Sequence, residues 1–443
     1  MTNVAELREG FQYLQRDRLL DRSWIGSTPV KNHFALLDPL RFATALGVAV
    51  FHQMFWSWAW VSIGVQGFER YVAAEVIYPS AAPYTWFGWV GVEIFFVISG
   101  FVIANSACKS SPGEFLLGRA LRLYPAVWVC ATTTLLVLLI FGSGPASQFI
   151  LPYIHAVLMV PKGVTGEWLD GVYWTLAAET AFYGLVYCAM LTKKVTLRHL
   201  ALGLTIYSAI FNALSLVVLS CTTPADLPYL IILMFRVPAA AYLLNHGCFF
   251  ALGIWLFISA NRELTKLERI AVAVTCLSGA AEIYYFASFF LTSIPAIADQ
   301  SALVPIMVWG AAVLLIAFAA NRNRNRRAAG IASPEAPAYW RTLGLITYPF
   351  YLMHNVVGTE IIRVLVDAGL DATTAVCVQL GILVLICWFI CAKVEPAIRA
   401  AMTSTIAYFG QLPARLPKST RPRFSRGLGL RSPVPAKMIA TLQ

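Results

Sequence analysis

LDPLRFATALGVAVFHQMFWSWAWV, residues 37–61, decides how the rest of this chain is read. It is a mostly apolar stretch long enough to cross a bilayer, and it carries Asp38, Arg41 and His52. An ionisable side chain inside a spanning helix is rare and costly to bury, so His52 needs a reason to be there. Eleven residues at 100° each return to within about 20° of the starting direction. Arg41 and His52 therefore share one helix face, roughly 16 Å apart along the axis. Asp38, three residues before Arg41, joins that face near the membrane edge.

The composition extends this reading to the whole chain. It is 59% hydrophobic and 12% charged, against roughly 25% charged in ordinary globular domains, and its mean hydropathy is +0.69. Apolar runs of about twenty residues predict an all-α, polytopic transmembrane bundle of about ten spans, near 36–58, 86–106, 122–142, 172–191, 199–220, 228–258, 269–291, 301–320, 342–364 and 374–393. Arg236, Pro238, Asn245, His246 and Gly247 interrupt the sixth and could break it into half-helices. The organisation expected is a cytoplasmic N-terminal segment over 1–35, a transmembrane domain over 36–398 and a flexible basic cytoplasmic tail over 399–443.

Charge placement orients the bundle. With the N-terminus in the cytoplasm, the inner connections hold Lys109, Arg119, Arg122, Lys193, Lys194, Arg198, Arg262, Lys266, Arg269 and the run Arg322 to Arg341, while the outer ones hold only Arg70 and Lys162. This is the positive-inside asymmetry, with both termini cytoplasmic. It accounts for the net charge of +11 without any nucleic-acid partner. The basic tail is expected near anionic lipid headgroups. Most of the cysteines fall within spans, so no disulfide framework is expected, and neither a Cys-x-x-Cys pair nor a His-rich spacing points to a metal.

Three further segments carry chemistry. Glu93 lies in GVEIFFVISGFVI (91–103), Arg119 and Arg122 lie at i and i+3 in GRALRLYPAVW (118–128), and Glu179 lies in YWTLAAETAFYGLVY (173–187). Depth along each helix sorts the groups into two layers. His52, Glu93, Glu179 and Arg236 are expected in the outer half; Arg41, Arg119 and Arg122 are expected toward the cytoplasm. Guanidinium groups hold phosphates with paired hydrogen bonds and keep their charge, which suits a phosphate-bearing cytoplasmic ligand. A histidine in the outer half suits a general base acting on a hydroxyl.

These segments, in order, resemble the acyltransferase 3 family of integral-membrane acyltransferases: LDPLRFATALGVAVFH with Arg41 and His52, then FFVISGFVI, RALRLYPAVW, WTLAAETAFYGLVY, HGCFFALGIWL and ITYPFYLMHNVV. Glu93 stands where the family more often has aspartate, and Glu179 lacks the acidic neighbour that often follows it. The resemblance implies transfer of an acyl group, commonly acetyl, from cytoplasmic acyl-coenzyme A to a hydroxyl of a cell-surface or lipid-linked saccharide, at a bacterial inner membrane. It also implies that His52, with Glu179 or Glu93, acts in catalysis, and that Arg41, Arg119 and Arg122 hold the donor. Direct transfer and a transient acyl-histidine both fit, and His354 is expected to be mainly structural. A transporter or flippase using the buried His, Glu and Arg as a substrate path is the rival reading, weakened by the lack of an internal repeat. Oligomeric state is not legible in the sequence.

Overall fold

The structure, a computed structural model, describes residues 36–62, 78–160, 167–192, 194–221, 240–330 and 337–415. Every regular element in them is a helix. The segment 1–35, the stretch around Arg236 and the tail beyond Arg415 lie outside the described residues.

Six helices are long and apolar enough to cross a bilayer, at 82–107, 112–141, 197–218, 266–293, 303–326 and 372–406. Of the other expected spans, the first and ninth are interrupted, the fourth is one continuous helix and the sixth lies partly outside the described residues. The first runs as α1 (Leu37–Phe51), a π-helical turn (His52–Trp56) and α2 (Ser57–Ser62). α3 is Gly91–Ala107, α4 is Pro112–Phe141 and α5 is Ile150–Leu158. α6 is Trp174–Thr192, α7 Leu197–Cys221, α8 Gly247–Asn261, α9 Lys266–Ser293 and α10 Leu303–Ala328. The ninth expected span is broken at His354 and Asn355 into α11 (Ala338–Met353) and α12 (Val356–Asp367). α13 (Ala372–Phe389) passes through a second π-helical turn into α14 (Glu395–Arg415). The tail expected to be flexible from residue 399 is thus helical as far as Arg415.

The centre of the bundle is α3 against α8. Both are buried almost all round, as helices must be when they are wrapped by others. They touch backbone to backbone, because a side chain at Gly253 would meet the Cα of Gly100 and the main chain of α3. Small residues at such crossings let transmembrane helices approach closely. By contrast, Leu139, Leu214, Leu277, Leu314 and Leu385 are exposed on the outer helices. Apolar side chains on that periphery fit a lipid environment rather than water.

Two prolines inside helices each free a carbonyl four residues earlier. Pro125 in α4 frees the Leu121 carbonyl, which accepts from Arg399 Nε at 3.2 Å, and Pro349 in α11 frees that of Leu345, which accepts from Cys391 Sγ at 3.4 Å. An unpaired carbonyl in a lipid-buried bundle would cost several kcal/mol. The α13–α14 region therefore closes two kinks made far earlier in the chain.

Candidate active site

The inward stripe of α1 runs Arg41, Thr44, Ala45, Val48, His52. Its buried members are Thr44, Ala45 and Val48, and it packs on α11 and α3. The helix is regular from Leu37 to Phe51, so Arg41 and His52 keep the shared face expected of them. At His52 the hydrogen bonding widens to the π pattern, with the Ser57 amide donating to the His52 carbonyl. Single π turns often sit at functional positions, because the extra residue redirects side chains. Here it places the neighbours His52 and Gln53 toward the same partner, His354.

The tautomers follow from those partners. His354 Nδ1 lies 2.6 Å from the Tyr351 carbonyl, which can only accept, so Nδ1 carries the proton and Nε2 is a lone-pair acceptor. His52 Nδ1 lies 3.1 Å from His354 Nε2 and 3.0 Å from the Val48 carbonyl. Facing two acceptors, His52 Nδ1 carries the proton as well. The unprotonated nitrogen of His52 is then Nε2, a base free to receive a proton. His354 is fully buried, while His52 keeps some exposure. One imidazole is thus a support and the other is accessible.

His354 is held in turn. Gln53 Nε2 donates to its carbonyl, and Thr359 donates to Gln53 Oε1 at 3.2 Å. Just after it, the start of α12 is held by Asp170, whose carboxylate accepts from the Val356 amide at 3.0 Å, Asn355 Nδ2 at 2.8 Å and the Val172 amide at 3.2 Å. A carboxylate at a helix N-terminus pairs amides that have no intrahelical acceptor and meets the positive end of the dipole. Asp170, which precedes the expected fourth span, is fully buried. Gln53 and Asp170 were missed by sequence reasoning. Gln53 could have been found as a second polar residue inside an apolar run, whereas Asp170 offers no local signal.

The inner layer assembles largely as expected. Arg41, Arg119 and Arg122 interact electrostatically with one another's neighbourhood: Arg41 with Arg122, Asp38 and Glu179, and Arg119 with Arg122, Tyr183 and Glu179. Arg119 donates to Ser106 at 3.3 Å, yet its buried Nε has no hydrogen-bond partner among the described residues. Glu395 and Arg399 complete the cluster beside Arg122.

Glu179 does not sit where the sequence placed it. Glu179 accepts from Tyr183 at 3.1 Å and belongs to the arginine layer rather than to the His52 layer. The reason is that Leu169, Asp170, Val172 and Tyr173 are buried, so α6 starts inside the bundle and carries Glu179 deeper than its distance from the helix end implies. Glu93 lies 3.9 Å from His246, beside Glu282. Neither Glu179 nor Glu93 is among the hydrogen-bond partners of His52, and the expected pairing with Arg236 lies outside the described residues.

Fold and site together define a membrane-embedded helical protein with a supported histidine and an arginine cluster turned inward along one helix. The chain belongs to the acyltransferase 3 family, whose model, described as an acyltransferase domain, matches residues 34–393. It is similar to nodulation protein 10 of Rhizobium leguminosarum bv. viciae, with 32% identity over 113 residues. That stretch covers 21% of this chain and 30% of the relative. No solved structure matches.

Proposed function

We propose that this membrane acyltransferase moves an acyl group, most simply acetyl, from cytoplasmic acyl-coenzyme A to a hydroxyl of a cell-surface or lipid-linked saccharide, at a bacterial inner membrane. The observation that carries this reading is the His52–His354 pair, which leaves Nε2 unprotonated on the partly exposed His52, at one end of a helix whose other end bears Arg41.

The donor's phosphates dock on Arg119 and Arg122 with Arg41 behind them, and the pantetheine arm extends along α1 toward His52. His52 Nε2 takes the proton of the acceptor hydroxyl as its oxygen bonds to the thioester carbonyl carbon. The tetrahedral adduct then expels the thiolate, the C–S bond breaks, and the imidazolium returns the proton to sulfur. His354 Nε2 accepts from His52 Nδ1–H throughout. This stabilises the transient positive charge as the orienting partner in a catalytic triad does, though without a charge of its own. Glu179, paired with Tyr183 between the arginines, is a positioning residue for the donor end.

The test is His52→Ala in the full-length membrane protein, with acyl substituents on surface glycans and lipids measured by mass spectrometry. Loss of a general base costs on the order of a hundred- to ten-thousand-fold, so product should fall to background while the protein stays in the membrane. Near-normal product would remove His52 from the chemistry. His52→Gln guards against misfolding, since its amide can still donate to His354 while offering no base.

A further inference from the structure

Behind α3, on a different set of helices from the His52 pair, three ionisable side chains converge. Glu93 comes from α3, His246 from the residue preceding α8, and Glu282 from the middle of α9. Their relative exposures are 3%, 4% and 0%. His246 Nδ1 is 2.5 Å from Glu282 Oε1 and 3.9 Å from Glu93 Oε2, and ligand atoms of the three all lie within 4.8 Å of one another. Despite that closeness, Glu93 Oε2, Glu282 Oε1 and His246 Nδ1 have no hydrogen-bond partner among the described residues. Three buried polar atoms that converge, two of them in ion-pair contact, yet make no well-directed hydrogen bond point to a common centre.

The charge balance says what that centre carries. Two carboxylates in a low-dielectric interior stay ionised only where two positive charges face them, and the imidazole can supply only one. The remaining contacts of Glu282 are Asn212 Nδ2 and the Cys248 thiol, both at 3.5 Å and both uncharged donors. A divalent cation would neutralise both carboxylates while the imidazole stays neutral, as ligation requires.

We propose that Glu93, His246 and Glu282 bind a divalent metal ion, zinc by their nitrogen and oxygen donor set, which ties α3, α8 and α9 together. Histidine and carboxylate ligands at about 2.0–2.2 Å are the usual zinc environment, with three protein ligands leaving a fourth position for water. Donors sharing one such ion lie roughly 3–4 Å apart. Binding therefore opens the short Glu282 edge slightly and draws in Glu93. Phe96, Trp174 and Phe249 surround the His246 ring at centroid distances of 5.4, 5.1 and 6.4 Å and form the apolar shell such a site needs. The site uses no residue of the proposed acyl transfer, so the two stand or fall separately.

The test is metal analysis of the full-length protein purified in nanodiscs without chelators, alongside Glu93→Gln/Glu282→Gln. About one zinc per chain is expected in the unsubstituted protein, with most of it lost in the variant. Chelation should lower the melting temperature of the former and leave the latter unmoved. Should the variant fail to fold, cobalt loading of the unsubstituted protein decides the matter. The visible bands of a four-coordinate nitrogen and oxygen site support the proposal; their absence overturns it. A metal-free protein that takes up neither zinc nor cobalt also overturns it, and would leave a second counter-charge such as Arg236 to be found. Full metal retention by a folded variant would place the ion elsewhere and overturn it equally.

Discussion

Two arginine clusters at the end of the bundle read as cytoplasmic obey opposite designs. Around Glu268 the charges are largely closed on themselves, although the buried Nε of Arg198 makes an ion pair and no hydrogen bond. Arg262 grips the carboxylate with two nitrogens at 2.6 and 2.7 Å, Arg198 Nε stands 3.3 Å away, and the same carboxylate accepts from the Thr265 amide in a capping box at the start of α9. Glu268 has one part in a hundred of its surface exposed. Around Arg41, Arg119 and Arg122 the charges are left open, with a buried donor unused and only partial neutralisation by Asp38, Glu179 and Glu395. The same residue type is structural where carboxylate geometry saturates it and available where it does not. Counting arginines in a loop does not separate the two, and neither does a single unbonded Nε, which Arg119 and Arg198 both have; the two-nitrogen grip of Arg262 on Glu268 marks the structural cluster.

The comparison breaks outright if the clusters face different compartments. Reporter fusions after Lys109, Lys194, Arg262, Arg327 and Arg415 should all read cytoplasmic, and an outer location for two or more would dissolve it. Next in size is the loss of donor binding. Arg122→Ala should weaken acyl-coenzyme A binding about ten- to a hundredfold, since a charged hydrogen bond contributes about 1.5–3 kcal/mol. Arg122→Lys should recover only part of it, because the paired fork is gone. Ligand-dependent melting in detergent or nanodiscs measures both. Unchanged affinity in Arg122→Ala would move the donor site elsewhere.

Glu268→Gln should do the reverse. Breaking a saturated buried pair destabilises the fold by about 1.5–3 kcal/mol, so the apparent melting temperature should fall by several degrees. Acyl-coenzyme A affinity per folded molecule should hold constant. A drop in affinity larger than the drop in stability would show the clamp to be part of the site. The smallest effect is that of salt. Raising ionic strength from about 0.1 to 1 M shortens the Debye length from roughly 10 to 3 Å. Donor binding at the open cluster should weaken a few-fold, with little change in the melting temperature contributed by the closed one.

Much of this was legible in the sequence, and what was missed shares one cause. Helical period and hydropathy report what a helix does along its own axis, which is why the Arg41–His52 face and the Arg119–Arg122 pair were readable. Depth was legible only where a helix begins at the membrane edge. Glu179 was placed too far out because the start of α6 is buried, and a residue count assumes it is not. Neighbours across helices were not legible at all. Nothing near position 93 announces His246 or Glu282, because what brings them together is the backbone contact of Gly100 with Gly253 and the packing of α8 on α9. The break at His354 and Asn355 was hidden for the same reason, since the carboxylate that holds it comes from Asp170.

The proline kinks bear on how the molecule is made. The chain emerges from the ribosome in order, so α4 enters the membrane with its Leu121 carbonyl exposed and waits through most of synthesis for Arg399. The Leu345 carbonyl of α11 waits for Cys391. A nascent chain halted before residue 391 would hold both kinks unsealed. Such a fragment would offer quality-control proteases underpaired backbone beside the half-built arginine cluster. The α13–α14 region thereby acts as a late latch on helices made long before it.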